Sequence, residues 1–290
     1  MTESSTPLVD TDWLAAHLGD ANVVVAEVDE SPELYDEGHV AGAVRLHWRD
    51  DLQKSNSRDV IDQPELEQLL GGLGIDRDTT IVLYGDRDNW FAAYAYWYLK
   101  LYGHPDVRIV DGGRAKWIAE GRELTTDTPT PSAKTYVASA RNDEIRAYLP
   151  QVLGWLENDQ YALVDVRSPG EFRGELLAPP GYEQEGAQRA GHIPGAESVP
   201  WASAVNAEDS TFKSVEELRE LYVGKGITED HEVVAYCRIG ERSAHTWFVL
   251  HELLGYKNVR NYDGSWSEYG SVVGVPIVVE ADQAAVAAGC

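Results

Sequence analysis

The chain repeats itself, and that limits what it can fold into more than any other feature. Gly38-His39-Val40-Ala41-Gly42-Ala43 recurs as Gly191-His192-Ile193-Pro194-Gly195-Ala196, and a tryptophan follows each copy, Trp48 and Trp201. Ile81-Val82-Leu83-Tyr84 recurs as Val233-Val234-Ala235-Tyr236. Val107-Arg108-Ile109-Val110-Asp111-Gly112-Gly113 recurs as Val259-Arg260-Asn261-Tyr262-Asp263-Gly264-Ser265, with Trp117 and Trp266 close behind. Tyr84 is as far from Tyr236 as Asp111 is from Asp263, so the copies stay in step over this stretch. A long self-similar period means two copies of one structural unit. Ser31-Pro32 matches Ser168-Pro169 at a shorter spacing, so the second copy is about 16 residues longer between Ser-Pro and Gly-His. The extra stretch, Glu175 to Arg189, is rich in Gly, Pro and Gln and reads as a loop.

Within each copy, short β-branched runs alternate with helical patterns. Strands are expected at Val23–Val28, Ile81–Tyr84, Val107–Val110, Leu163–Val166, Val233–Tyr236 and Val259–Tyr262. Helices are expected at Pro64–Gly71, Trp90–Tyr102, Ser214–Tyr222 and Arg242–Leu254. Short apolar strands separated by helices imply parallel sheets with helices on both faces. The expected fold is therefore α/β, with two similar domains in tandem. A Thr/Pro run from Thr125 to Pro131 marks the join. The expected division is residues 1–124, a linker over 125–139, and residues 140–290.

Ligands of an open parallel sheet sit off the carboxyl ends of its strands. Cys237 stands there, opening Cys237-Arg238-Ile239-Gly240-Glu241-Arg242-Ser243 between a strand and a helix. A buried cysteine is often only a small core residue. Two arginines on its own turn argue instead for a reactive thiol, its pKa lowered by the cations, the turn amides and the helix dipole. The same spacing that relates Tyr84 to Tyr236 pairs Cys237 with Gly85, so one copy has the thiol and the other lacks it. His39 and His192 occupy matching positions in both copies, which favours a scaffold role. No second Cys or His stands at ligand spacing from Cys237, so no metal site is expected, and terminal Cys290 reads as a frayed end.

Charge limits the partners. With 49 acidic and 24 basic side chains the formal net charge is -25, which disfavours nucleic acid and anionic membranes. An acidic surface around a chain with 10% aromatic residues fits a high-salt cytoplasm, where self-repulsion is screened. No apolar run approaches the roughly 20 residues of a membrane-spanning helix. The start, Met1 to Pro7, lacks the basic and apolar regions of a signal peptide. Two cysteines give no disulfide framework, so a reduced, cytoplasmic protein is expected.

Two anion chemistries suit a thiolate in such a loop. A phosphatase loop runs Cys, five residues, Arg. Here four residues separate Cys237 from Arg242, and the smaller ring of amides suits a single sulfur better than a tetrahedral phosphate. In sulfur transfer the thiolate takes the outer sulfur of a donor such as thiosulfate, forms a persulfide, and passes the sulfur to cyanide or a thiol in a ping-pong cycle. Arg238 and Arg242 would neutralise the donor, and the loop amides would hold the persulfide anion.

On the Gly191–Ala196 box, the six-residue loop Cys237–Arg242 and Tyr262-Asp263-Gly264-Ser265-Trp266, nearly the whole chain resembles the tandem-domain rhodaneses, thiosulfate sulfurtransferases. The resemblance implies a catalytically silent first domain, which Gly85 fits, and Cys237 as the nucleophile. It implies donor binding by the loop residues Arg238, Ile239, Gly240, Glu241, Arg242 and Ser243, and no cofactor or metal. The basic residue after the cysteine points to thiosulfate, since relatives specific for 3-mercaptopyruvate carry a small residue there and a Gly-Val-Thr ending. Many two-domain relatives also hold the donor with an arginine two residues past the equivalent of Pro169. This chain has Glu171 there, leaving Arg173 or Arg242 to substitute. The family lines the mouth of its site with aromatics from the silent domain, and Trp90 and Phe91 lie in the matching loop. Their alternative is the inward face of an amphipathic helix. The implied partners are a small anionic donor, a thiophilic acceptor, and possible protein sulfur acceptors. A persulfide carrier with little small-molecule turnover is the alternative to an enzyme.

Overall fold

A computed structural model of the chain describes residues 6–280. The first five residues of the stretch read for a signal peptide, and Cys290, lie outside the described residues. The chain divides into two compact units. One runs through Asn142 and includes Val205–Phe212; the other holds Asp143–Ala204 and the chain from Lys213 onward.

Among the described residues the first unit is built on five strands, β1 (Leu8–Val9), β2 (Val23–Glu27), β3 (Val44–Arg45), β4 (Thr80–Tyr84) and β5 (Val107–Val110). They lie in the order β1-β5-β4-β2-β3, all parallel. The second unit has β6 (Tyr161–Asp165), β7 (Glu197–Ser198), β8 (Glu232–Tyr236) and β9 (Val259–Tyr262), in the order β7-β6-β8-β9, again parallel. The repeat persists in the register. Val23 lies opposite Thr80 and Glu27 opposite Tyr84, as Tyr161 lies opposite Glu232 and Asp165 opposite Tyr236. Where the first unit places β1 beside β5, the second keeps a single bridge, Arg146 beside Asn261.

The expected strands appear within a residue or two, because β-branched runs flanked by polar turns have few other ways to bury both faces. Capping boxes start several of the helices. Asp62 and Glu65 form a capping box at Gln63–Gly72, Ser214 and Glu217 another at Val215–Val223. Trp90–Leu101 is buried at every position except Lys100, the mark of a helix enclosed on all sides. The helix expected over Arg242–Leu254 changes pitch midway: Glu241–Phe248 is α-helical and Val249–Leu253 forms a π turn.

Segment 125–139, expected as a linker, lies along the first unit instead. Thr125 exchanges backbone hydrogen bonds with His39, and the Lys134 and Ser139 amides bond to the Gly71 and Tyr102 carbonyls. Tyr136 is buried, its hydroxyl 2.9 Å from His104 Nδ1. A Thr/Pro composition signals chain that is not helical; it does not signal chain that is free, and here backbone hydrogen bonds and one aromatic anchor hold it down.

The matched histidines have matched roles. His39 bonds through Nδ1 to the Tyr35 carbonyl at 2.8 Å and stacks on the Tyr35 ring; His192 bonds to the Phe172 carbonyl at 2.8 Å and stacks on Phe172. The tyrosines ending β4 and β8 accept amide hydrogen bonds from Val40 and Ile193 across the Gly-His boxes. Each box is thus tied to the strand end beside it.

Candidate functional site

The site forms where β8 ends. Cys237 follows the last strand residue, and Gly240, at φ 98°, turns the chain back so that its amide points at the sulfur, 3.1 Å from Sγ. Only glycine suits this turn: a Cβ on Gly240 would stand 2.5 Å from the Cα of Asp263 and in the left-handed region. The Cys237 amide donates to Ser265 Oγ at 3.0 Å, and its carbonyl accepts from the Trp266 amide. Asn261 Nδ2 donates to the Gly240 carbonyl at 2.9 Å, and Ser243 Oγ donates to Asn261 Oδ1 at 2.6 Å. Asp263, beside Gly240, accepts from Nε and Nη2 of Arg146, each at 3.0 Å. The turn from β9 into the Ser265–Tyr269 helix therefore braces the cysteine loop from behind.

The two arginines are not the free cations the sequence suggests. Arg238 and Arg242 are both almost fully buried. Arg238 Nη2 pairs with Glu241 Oε1 at 3.1 Å. Arg242 forms a two-pronged pair with Glu171, each guanidinium nitrogen 3.1 Å from a carboxylate oxygen. An unpaired guanidinium is too costly to bury, so each is matched to a carboxylate. Glu171, which the resemblance marks as a loss, is the partner that holds Arg242 in the loop. The Ser168 capping box fixes it: Ser168 caps Pro169–Arg173, and Glu171 accepts from the Ser168 amide at 3.0 Å. Burial pushes the Glu171 carboxyl up, but the charge and hydrogen bonds of Arg242, with the Ser168 amide, hold it below its ordinary value. Arg173 does not reach this loop's ion pairs; it points into solvent and pairs with Glu175 at 2.8 Å.

The thiol also departs from expectation. Cys237 is wholly buried, and burial pushes its pKa up. The Glu241 carboxylate, whose Oε2 lies 3.4 Å from Sγ, pushes the same way. Arg242 and the Ser243 amide pull it down without prevailing, so the resting thiol titrates above its ordinary value. The expected lowering fails first because the sulfur is buried and then because Glu241 stands beside it, while the arginines are themselves paired with Glu171 and Glu241. Tyr182, in the inserted loop, lies over the Arg238 guanidinium at 4.2 Å from ring centroid to Cζ. Sequence reading passed over Tyr182, for an irregular loop gives no period by which to place a side chain.

The first unit carries the same loop with different contents. The Arg114 amide bonds the Gly85 carbonyl as the Trp266 amide bonds that of Cys237. A Cβ at Gly85 would meet the Val28 carbonyl oxygen at 2.1 Å, so the backbone excludes any side chain. Arg87, Asp88 and Asn89 all have positive φ, and Asn89, at the position of Glu241, ties the Gly85 amide to the Val110 carbonyl. Asp29 accepts from the Asp86 amide beside it; burial and then the charge of Glu27 push its carboxyl up to about 8. Trp90 and Phe91 are core residues of this unit, stacked together in the first turn of their helix with Phe91 against Trp48.

Among the described residues no group of three or more His, Cys, Asp and Glu is placed to hold a metal, and no helix is long and apolar enough to cross a membrane.

The description "Rhodanese-like domain" matches residues 10–120 and 149–271. The chain is 55% identical over 278 residues to a Saccharopolyspora erythraea protein provisionally named a thiosulfate sulfurtransferase, covering 96% of this chain and 98% of that one. It is 55% identical to "Sulfur carrier protein TtuD" of Thermus thermophilus, covering 93% of this chain and 95% of the relative. A Haloferax volcanii protein, also provisionally named a thiosulfate sulfurtransferase, is 50% identical over 93% of this chain and 95% of its own. Among solved structures, an anaerobic ergothioneine biosynthesis enzyme from Chlorobium limicola superposes with a TM-score of 0.81 at 23% identity, over 95% of this chain and 70% of that one, which speaks for the fold alone. The chain belongs to the rhodanese-like family, with a rhodanese-like segment in each unit.

Proposed function

We propose that this member of the rhodanese-like family is a thiosulfate sulfurtransferase with Cys237 as its nucleophile and a catalytically silent first unit. The observation that carries the reading is the contrast between two equivalent loops. One holds a thiol with a backbone amide 3.1 Å from its sulfur; the other holds Gly85 under a carbonyl that leaves no room for a side chain. The names of the relatives at 50–55% identity support the same chemistry.

The Cys237 sulfur attacks the outer sulfur of thiosulfate. The bond to the sulfonate sulfur breaks, and its electron pair leaves with sulfite. The outer sulfur stays as a persulfide, with the Gly240 amide as a preorganised dipole at the root of the new bond. Cyanide or an acceptor thiolate then attacks the outer sulfur, and the electron pair of the S–S bond returns to Cys237. Covalent catalysis of this kind gives ping-pong kinetics. Arg238 stands where the resemblance puts the thiosulfate-selecting cation. Because Arg238 and Arg242 are already paired with Glu241 and Glu171, the donor enters a site of balanced charge and must share or displace a carboxylate.

Intact-mass measurement after incubation with thiosulfate tests this. A gain of one sulfur, lost in Cys237→Ala, is expected; no gain, or a gain that survives the substitution, refutes it. A second reading is favoured by the Thermus thermophilus relative, whose name makes it a sulfur carrier. Under it, Cys237 loads in the same way but delivers its sulfur to a protein, with negligible thiocyanate formation in the steady state. A side-by-side assay with 3-mercaptopyruvate separates the remaining donor.

A further inference from the structure

One carboxylate carries no proton in the steps just described. Glu241 is 1% exposed, and its two oxygens face different partners. Oε2 accepts from the Cys237 thiol at 3.4 Å, while Oε1 accepts from Arg238 Nη2 at 3.1 Å. As a fixed negative charge beside a nucleophilic sulfur it is a handicap, since it opposes the thiolate. The loop scaffold does not require an acid at this position: the first unit builds the equivalent turn with Asn89, which bonds only to backbone. A buried carboxylate that touches both the attacking atom and the donor-binding cation is placed to move a proton between them.

We propose that Glu241 accepts the Cys237 proton during sulfur loading and that its protonation releases Arg238 to the leaving sulfite; this rests on the sulfurtransferase reading. The proton passes from Sγ to Oε2 as the sulfur attacks the outer sulfur of thiosulfate. The S–S bond of the donor breaks, and its electron pair departs on sulfite. Glu241, now neutral, no longer holds the charge of Arg238, and the guanidinium turns to the dianion. Sulfite leaves as bisulfite with the proton from Glu241, and the Arg238–Glu241 pair reforms. Atoms, protons and electrons balance without another reactant. The ionisable groups around Glu241 are Cys237, Arg238 and Arg242 on its own loop, Glu171 against Arg242, Tyr182 over Arg238, and Asp263 beside Gly240, itself held by Arg146.

Glu241→Gln separates a proton carrier from a structural partner of Arg238, because the two roles move two readouts in different directions. Removing the negative charge lets the thiolate form at lower pH, which ultraviolet thiolate absorbance follows. A proton carrier then loses speed despite its better nucleophile: single-turnover sulfur loading at saturating thiosulfate should slow at least about tenfold. Loading as fast as wild type, or faster, across the pH range overturns the proposal. Should the glutamine variant fail to fold, Glu241→Asp serves instead. It keeps the acid but withdraws it from the sulfur, so slower loading supports the proposal and unchanged loading overturns it. Wild-type loading and its dependence on Cys237 are measured first. If wild type takes up no sulfur, the sulfurtransferase reading fails; if only the glutamine variant behaves as wild type, the role of Glu241 alone fails.

Discussion

Glu171 and Arg242 meet as a buried two-pronged pair, Nη1 on Oε2 and Nη2 on Oε1, each at 3.1 Å. They come from helices far apart in sequence, Pro169–Arg173 and Glu241–Phe248, so the pair ties the cysteine loop to the strand-end turn of β6. Breaking one side of such a pair strands a buried charge and typically costs about 3–5 kcal/mol. Glu171→Gln should therefore lower the urea midpoint clearly, while Glu171→Leu with Arg242→Met should recover much of the loss and yet load sulfur poorly. A midpoint for Glu171→Gln equal to wild type would show that the pair contributes nothing to stability. The carboxyl is held below its ordinary value, so this contribution is present above the usual carboxylate range and disappears as pH falls through the lowered one.

Arg238 is more than the donor-neutralising cation that the sequence suggested. It is buried beneath Tyr182 and paired with Glu241, so Arg238→Ala leaves a carboxylate buried without its partner. The variant should lose stability as well as thiosulfate affinity. Tyr182→Ala leaves that pair intact and removes only the covering ring, a contact of about 0.5–2 kcal/mol. We expect it to melt close to wild type while Cys237 reacts faster with iodoacetamide. Unchanged alkylation would mean that the inserted loop does not control access to the thiol.

Gly85→Cys puts a thiol at the position equivalent to Cys237 without creating a second sulfur site. Its Cβ would fall 2.1 Å from the Val28 carbonyl, so the backbone must shift, and Asp29 and Asp86 stand beside it. The variant should lose stability and still gain a single sulfur from thiosulfate by intact mass. A gain of two would contradict the reading of a silent loop.

Asp29 makes the first unit sensitive to pH in the direction opposite to Glu171. Its folded pKa is pushed up to about 8, first by burial and then by the charge of Glu27. An acid raised on folding stabilises the protein while protonated, and that stability is lost as pH rises from its unfolded value through the raised one. Asp29→Asn keeps the oxygen that accepts from the Asp86 amide and removes the charge. Relative to wild type, it should raise the melting temperature near pH 8 and change it little near pH 4, by about 2–4 °C for each kcal/mol of relief. Equal gains at both pH values would refute the titration.

Most of the architecture was legible because it rests on patterns with a fixed period. Runs such as Val23 to Glu27 and Val233 to Tyr236 carry it in their residue types, and the repeat reports their parallel order twice. The two-residue strands Leu8–Val9, Val44–Arg45 and Glu197–Ser198 were not legible, being too short to show alternation. In the site, the position of Cys237 and its thiol-free counterpart follow from counting. The state of charge does not. That Arg242 would find Glu171, and Arg238 both Glu241 and Tyr182, depends on which side chains the fold brings together across the sequence. The cations were visible in sequence; their neutralisation was a property of packing.

This contrast between buried pairs and surface charge leads to a prediction about salt. The chain carries a net charge of -25, while the described cysteine loop sets two guanidinium groups against two carboxylates. The net excess of negative charge therefore has to be borne elsewhere, where it repels itself and salt can screen it. The Debye length shrinks from about 10 Å at 0.1 M to about 3 Å at 1 M, enough to quench repulsion between exposed carboxylates while leaving buried pairs nearly untouched. The melting temperature should therefore climb from low to molar KCl. The stability difference between wild type and Glu171→Gln should change far less over the same series. A melting temperature that stays flat would reject adaptation to high salt, and a difference that collapses with salt would mean that the Glu171–Arg242 pair is open to solvent.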